Sequence, residues 1–237
     1  MRRIASLVLS LWFIIPTVAL ANGNNSDELP PNTNGRSGGS RGCTTQTKTA
    51  ASNTPALTLL APSNSSNSVS VRPTFAWWVS EPGFWQMEFR LYQYDGVSQE
   101  AKLVTEIKDP NFKSSPGIVV LPNSKSIPEL SVGQKYLWQV ELICDPSHPS
   151  ANPFAEAEIE VVQMPQSLKA KLANTNNAYD RASLYAKAGL WYDALGIVLT
   201  VPDPKSAELK FSLLDGVVAD PQERLKLRSS QIHQMQR

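Results

Sequence analysis

The sequence predicts an α+β chain in two successive parts, an antiparallel β-sandwich followed by a helical region. Three observations carry that expectation. Apolar residues alternate with a period of two from Ala56 to about Met164. The period lengthens to three or four after Pro165. Pro, Gly, Asn and Asp separate the alternating runs at short intervals, which is how several short strands joined by turns look in a sequence.

The strands are expected in order. ALTLLAP is a short apolar run opening at Ala56. TFAWWVS places Phe75, Trp77 and Val79 on one face and Trp78 on the other. QMEFRLYQYDG alternates Met87, Phe89 and Leu91 with Glu88, Arg90 and Tyr92. KLVTEIKD and GIVVLP follow. YLWQVELI puts Tyr136, Trp138, Val140 and Leu142 together, with Cys144 in the same register. AEAEIEVV sets Glu156, Glu158 and Glu160 opposite Ala157 and Ile159, as a solvated strand face would. About seven strands over residues 56–164 match a sandwich of immunoglobulin or fibronectin type III kind. Leu130, Gly133 and Tyr136 precede the strongest strand in the manner of a tyrosine corner, whose hydroxyl returns to the upstream backbone.

Residues 165–237 are expected to be helical. Leu168, Leu172, Tyr179, Leu184 and Tyr185 recur at helical spacing up to Gly189, a helix stop. LWYDALGIVLTV makes the next helix, and SAELKFSLLDGVV a further one with Ser206 as cap. In DPQERLKLRSSQIHQMQR, Asp220 is an N-cap and Pro221 the first helical residue. Tyr185, Gly189, Trp191 and Ala194 have the spacing of one tetratricopeptide-like hairpin, fewer than the three or so repeats a free-standing array needs.

The opening MRRIASLVLSLWFIIPTVALANG has two arginines, an apolar run and the small-x-small series Ala19-Leu20-Ala21. That is the layout of a secretory signal peptide over 1–21, cut before Asn22. The run is short for a bilayer-spanning helix. Removing 1–21 takes away two of 22 basic residues and none of 21 acidic ones, leaving 20 against 21, a net charge of −1. A near-neutral chain has no general electrostatic attraction for nucleic acid or anionic lipid. No later stretch is apolar enough to span a membrane. Residues 22–55 are dominated by Asn, Ser, Thr, Gly and Pro, so they are read as a disordered leader.

Cys43 and Cys144 are the only cysteines, and an even count in an oxidising compartment favours a disulfide between them. The competing reading makes Cys144, with Asp145 and His148, a nucleophilic thiol site. It needs a free thiol of low pKa, whereas Cys144 falls on the core face. His148 and His233 are the only histidines and lie far apart, against a zinc site. No phosphate loop or HExxH is present. No catalytic residue, metal or cofactor is therefore assigned, and the chain is expected not to be an enzyme. The aromatic surplus offers instead Trp78, Trp85, Trp191 and Tyr192 as anchors for a protein partner at a patch between sandwich and helices. A carbohydrate-binding module using exposed aromatics is the alternative. For Trp78 and Trp85 the competing fate is cover by the C-terminal helices.

Several stretches, in this order, resemble one family: GRSGGSRGC, LTLLAP, RPTFAWWV, FRLYQYDG, PGIVVLP, LSVGQKYLWQVELICDP and YAKAGLWYDAL. They are similar to the cyanobacterial exported proteins grouped as domain of unknown function 928, from Arg36 to about Val218. The resemblance implies a location in the cell envelope, the periplasm or outside the cell. It supports pairing of Cys43 with Cys144. It implies no activity, so the expected role is protein interaction or assembly.

Overall fold

The computed structural model describes residues 36–38, 43, 57–62, 66–80, 82–96, 100–121 and 127–235. The expected signal segment, with Ala19, Ala21 and Asn22, and most of the leader lie outside the described residues. The strands are β1 (Arg36–Gly38), β2 (Leu57–Leu59), β3 (Ser66–Ser68), β4 (Phe75–Val79), β5 (Gln86–Tyr94), β6 (Ala101–Ile107), β7 (Gly117–Leu121), β8 (Gln134–Ile143), β9 (Phe154–Val161) and β10 (Ile232–Gln234). The helices are α1 (Gln166–Ala173), α2 (Ala178–Lys187), α3 (Trp191–Thr200), α4 (Ala207–Asp215) and α5 (Pro221–Ser229).

One sheet runs β1-β9-β8-β5-β6, with β3 also on β9; the other runs β10-β7-β4-β2. All seven expected strands form, and pairings among them are antiparallel. Both sheets are open and share one core. Phe75 and Trp77 of the four-stranded sheet meet Phe89 and Trp138 of the six-stranded sheet. The Phe75 ring lies 5.0 Å from Trp138 and 5.1 Å from Phe89, centroid to centroid. Tyr136 makes the expected corner: its hydroxyl accepts from the Ser131 N–H at 2.8 Å.

The four-stranded sheet is apolar on both faces. Along β4, Phe75, Trp77 and Val79 join the inter-sheet core. Ala76 and Trp78 join a second core with Ile118 and Val120 of β7 and with Leu195, Val198 and Leu227 of the helices. Every residue of β4 and β7 is consequently buried. The molecule has three layers: six-stranded sheet, four-stranded sheet, helices.

The helices differ from expectation in detail. The periodic stretch up to Gly189 breaks into α1 and α2. Asn177 supplies the break, accepting from the Asp180 N–H as an N-cap. Asp220 caps α5 as foreseen, accepting from Gln222 and Glu223. Asp203, rather than Ser206, makes the side-chain cap ahead of α4. The tail is not helical throughout: β10 pairs in parallel with β7. The Gln231 carbonyl accepts from Ile118 N–H at 2.8 Å, and Met235 N–H donates to Val120 at 2.9 Å. Part of the leader is ordered too, since Arg36–Gly38 pair with β9. Such pairing uses main-chain groups, so it needs none of the apolar side chains that the leader lacks.

Helices and sandwich are joined by Tyr192. It stands on α3 yet belongs to the inter-sheet core. Its hydroxyl accepts from Trp138 Nε1 at 2.9 Å and donates to the Glu158 carbonyl at 3.2 Å. Burial pushes the phenol well above its ordinary pKa.

Tyr192→Phe would leave the buried Trp138 N–H without its acceptor. The expected cost is about 1–3 kcal/mol in urea unfolding; an unchanged midpoint would refute the role given to this hydroxyl. Gly117 has φ +122° and a Cβ there would meet the Gln231 oxygen at 2.6 Å. Gly117→Ala should therefore release β10, making the C-terminus cleavable by protease under native conditions while the sandwich survives. Equal protease resistance of wild type and variant would contradict this.

Candidate functional site

One end of the sandwich gathers the groups that could carry chemistry or recognition. The loop after β4, the loop after β8 and Cys43 meet there, because Gln86 at the start of β5 pairs with Ile143 at the end of β8. Cys43 and Cys144 form a disulfide, 101 residues apart in sequence with Cα atoms at 5.0 Å. Both sulfurs pack against the inter-sheet core. Cys144 is therefore no nucleophile, and the thiol-site reading with His148 is withdrawn.

Asp145, Ser147 and His148 still form a compact exposed group. His148 Nδ1 lies 2.7 Å from Asp145 Oδ2 and 3.0 Å from Ser147 Oγ. Ser147 Oγ also donates to Asp145 Oδ1 at 2.5 Å. Hydrogen bonds from Ser147, then from His148, hold the Asp145 carboxyl down at about 2. A hydrolytic triad needs serine and carboxylate on opposite ring nitrogens. Here both address Nδ1, so the trio closes a turn rather than activating the hydroxyl. Asn152 fixes the same loop, accepting from Cys144 and Asp145 N–H groups at 3.0 and 3.2 Å.

Asn152 also ties the loop to the outer face of the six-stranded sheet, donating to Glu141 Oε1 at 3.0 Å. Arg90 is the hub of that face. It donates to Glu106 and Glu141 at 2.9 Å each and pairs with Glu88. Lys108 approaches Glu88 at 2.9 Å. Burial disfavours the Arg90 charge, but the hydrogen bonds to Glu106 and Glu141 outweigh it and hold the guanidinium above its ordinary range. Carboxylates neutralised this way stitch β5, β6 and β8 together and offer no acid–base pair. The row of glutamates on β9 is also less solvated than its alternation suggests. Glu156 is buried, and Glu158 accepts from the Tyr94 hydroxyl at 3.1 Å. The outer face carries its own polar cover, which strand periodicity cannot reveal. Among the described residues no group of three or more His, Cys, Asp or Glu could hold a metal ion.

The four aromatic anchors expected at the seam are dispersed. Trp78 is 2% exposed under the helices, its Nε1 donating to Ser230 Oγ at 2.9 Å. Tyr192 is 1% exposed inside the core. Neither is a surface anchor, because the helices cover the second face of β4 and need that apolar area themselves. Trp191 is half-buried, its ring 5.7 Å from Tyr192. These four residues therefore do not form one exposed patch between sandwich and helices.

Trp85, half-buried like Trp191, stands beside Phe84, which is 74% exposed. The tip is rigid. Trp85 N–H donates to Ser114 Oγ at 2.9 Å, and its carbonyl accepts from Ser114 N–H at 2.7 Å. Trp85 Nε1 donates to the Pro82 carbonyl at 3.1 Å. Gly83 permits that fold-back with φ +112°. The Glu-Pro-Gly turn beside Phe84 and Trp85 was a usable signal in the sequence, whereas Ser114 went unnoticed. The clamp from Ser114 arrives from 29 residues away and had none.

No helix among the described residues is long and apolar enough to cross a membrane. No curated protein matches the chain. Among solved structures, one similar chain comes from the structural and functional analysis of a lytic polysaccharide monooxygenase important for efficient utilization of chitin in Cellvibrio japonicus. It shares 12% identity over 41% of this chain and 54% of that one, about half its length, with a TM-score of 0.29. A likeness of that size carries no argument about fold or activity. The family comparison is decisive instead. The model of the Domain of Unknown Function (DUF928) matches residues 36–217, from β1 through the end of α4, and includes both cysteines of the disulfide, the corner of Tyr136 and the joint at Tyr192; the chain belongs to the DUF928 family.

Proposed function

We propose that the protein is a non-enzymatic binding module, exported to the cell envelope or beyond, that docks a protein partner on the aromatic tip at Phe84 and Trp85. The observation carrying this reading is the exposure of Phe84, 74%, on a loop clamped by Ser114. Covering a large apolar ring that stands in water is favourable, and aromatic residues dominate interface hot spots. The disulfide and the absence of a spanning helix among the described residues are compatible with export.

A second reading places a glycan on the same tip. It draws on the polar neighbours Asp145, Ser147 and His148, which follow the strand end paired with Gln86. Sugars are held by a ring face together with nearby hydrogen-bonding groups.

Capture from an envelope or secreted fraction should be compared for wild type, Phe84→Ala, Trp85→Ala and Leu225→Ala. Leu225 is 59% exposed on α5, remote in sequence from the tip. The partner should be lost with either tip variant and kept with Leu225→Ala, while the Phe84→Ala melting temperature stays within a degree or so. Recovery unaffected by the tip variants would reject the docking site. Retardation of wild type on polysaccharide gels, abolished by Trp85→Ala, would move the assignment to a glycan.

Reduction supplies a separate check on how the tip's neighbourhood is held. The bridge closes a loop of 101 residues, for which chain entropy alone predicts a contribution near 4.7 kcal/mol. Denaturant unfolding with reductant should show a large loss of stability, and neither cysteine should be alkylated before reduction. Alkylation of Cys144 in the unreduced protein would overturn the bridge and reopen the enzyme question.

A further inference from the structure

A cavity of about 280 Å³ opens where the segment between β3 and β4 meets the α2–α3 hairpin. Ser70, Arg72 and Thr74 line it from the sandwich, and Arg181, Tyr185 and Asp193 from the helices. Seams between structural layers are where ligand sites with a few convergent polar groups tend to form.

The charges are fixed in place. Asp193 Oδ2 accepts from the Val69 N–H at 3.0 Å. Burial raises the Asp193 carboxyl pKa, while hydrogen bonds from Val69, Ser68 and Ser70 oppose the rise. Its acceptor capacity is thus directed at the strand segment that it anchors. Arg72 donates through Nη1 to the Ile127 carbonyl at 3.1 Å and through Nε to Glu129 at 3.2 Å. Arg181 Nη1 donates to the Leu172 and Thr175 carbonyls at the end of α1, at 3.3 and 3.4 Å. A guanidinium has five N–H donors, so these contacts steady Arg181 without exhausting it. The lining therefore carries two guanidinium groups, one from each layer, with Arg72 also paired to Glu129 outside the cavity, and a single lining carboxylate, Asp193, already engaged by backbone.

We infer that this cavity is a binding site for a small anion: a carboxylate, sulfate or phosphate group on a ligand no larger than about one acidic sugar. Guanidinium forks match the oxygen geometry of such groups. The Tyr185 hydroxyl and the Ser70 and Thr74 hydroxyls supply the neutral hydrogen bonds around them. A ligand held by Arg72 and Arg181 together bridges sandwich and helices, so its binding tightens the seam and raises the unfolding temperature of the whole molecule. The site is separate from the aromatic tip and does not depend on its role.

The test is titration calorimetry of the oxidised full chain with galacturonate, sulfate, phosphate and acetate at matched ionic strength, against chloride as blank. The unfolding temperature is followed in parallel. At least one anion should bind saturably with a stoichiometry of one and raise the unfolding temperature. Arg72→Met and Arg181→Met should each weaken binding about tenfold or more, and Phe84→Ala should bind as wild type. Arg72→Lys, which keeps the charge but loses the fork, should fall between. Since Arg181 also holds α1, the Arg72 variants decide the matter if Arg181→Met fails to fold. Preference for galacturonate identifies a sugar acid as the source of the anion, and preference for phosphate or sulfate identifies an esterified ligand. Absence of saturable binding by wild type, or equal binding by the Arg72 variants, overturns the inference.

Discussion

A single side chain from the helical layer reaches the centre of the sandwich, and the arrangement of the molecule depends on it. Tyr192 packs at ring distances of 6.3 Å from Trp138 and 6.5 Å from Phe75, and its hydroxyl satisfies the buried Trp138 N–H. An indole N–H in an apolar core needs such a partner, since leaving it unpaired costs more than the bond itself gains. The core of the sandwich is therefore incomplete without α3. Its next residue, Asp193, holds the backbone after β3, so two consecutive residues join the layers in two different ways. Trp78, bonded to Ser230 after α5, makes a third tie.

These ties explain the composition of the middle sheet. A sheet facing solvent alternates polar and apolar residues, whereas one covered on both sides is apolar throughout. FAWWV and GIVVL are of the second kind, and both strands are fully buried. The edges of the two sheets are protected by separate means. On the four-stranded sheet, β10 covers β7. On the six-stranded sheet, β6 is an edge whose register with β5 slips between Leu91 and Tyr92. That slip leaves Val104 as an extra residue, and a bulge on an edge strand resists pairing with another strand.

The loop end of the sandwich is stiffened by polar contacts. The disulfide joins the leader, at Cys43, to the end of β8. Asn152 joins the following loop to Glu141, and Glu141 joins Arg90. This chain of contacts runs from the bridge across the sheet to β6 without a vacant acid or base. Trp85 lies at the same end of the sandwich, tied separately by Ser114.

The pattern of residues by itself determined much of the result. Alternation located seven strands, because side chains of a strand point to two faces in turn. Asp220 and Pro221 announced α5, since capping is a local matter of a few residues. Tyr136 announced its corner for the same reason, and cysteine parity pointed to the bridge. Tertiary structure alone decided the rest. Alternation separates Trp77 from Trp78 but cannot say that a second layer covers the latter. It likewise cannot say that Tyr94 hydrogen-bonds Glu158 or that β1 pairs with β9. Strands β1, β3 and β10 left no apolar signal, because they are held by main-chain pairing to an edge distant in sequence. Tyr192 read as a surface anchor on its own helix. Its place in the core follows from where α3 crosses the sandwich, a relation between layers that no local spacing contains.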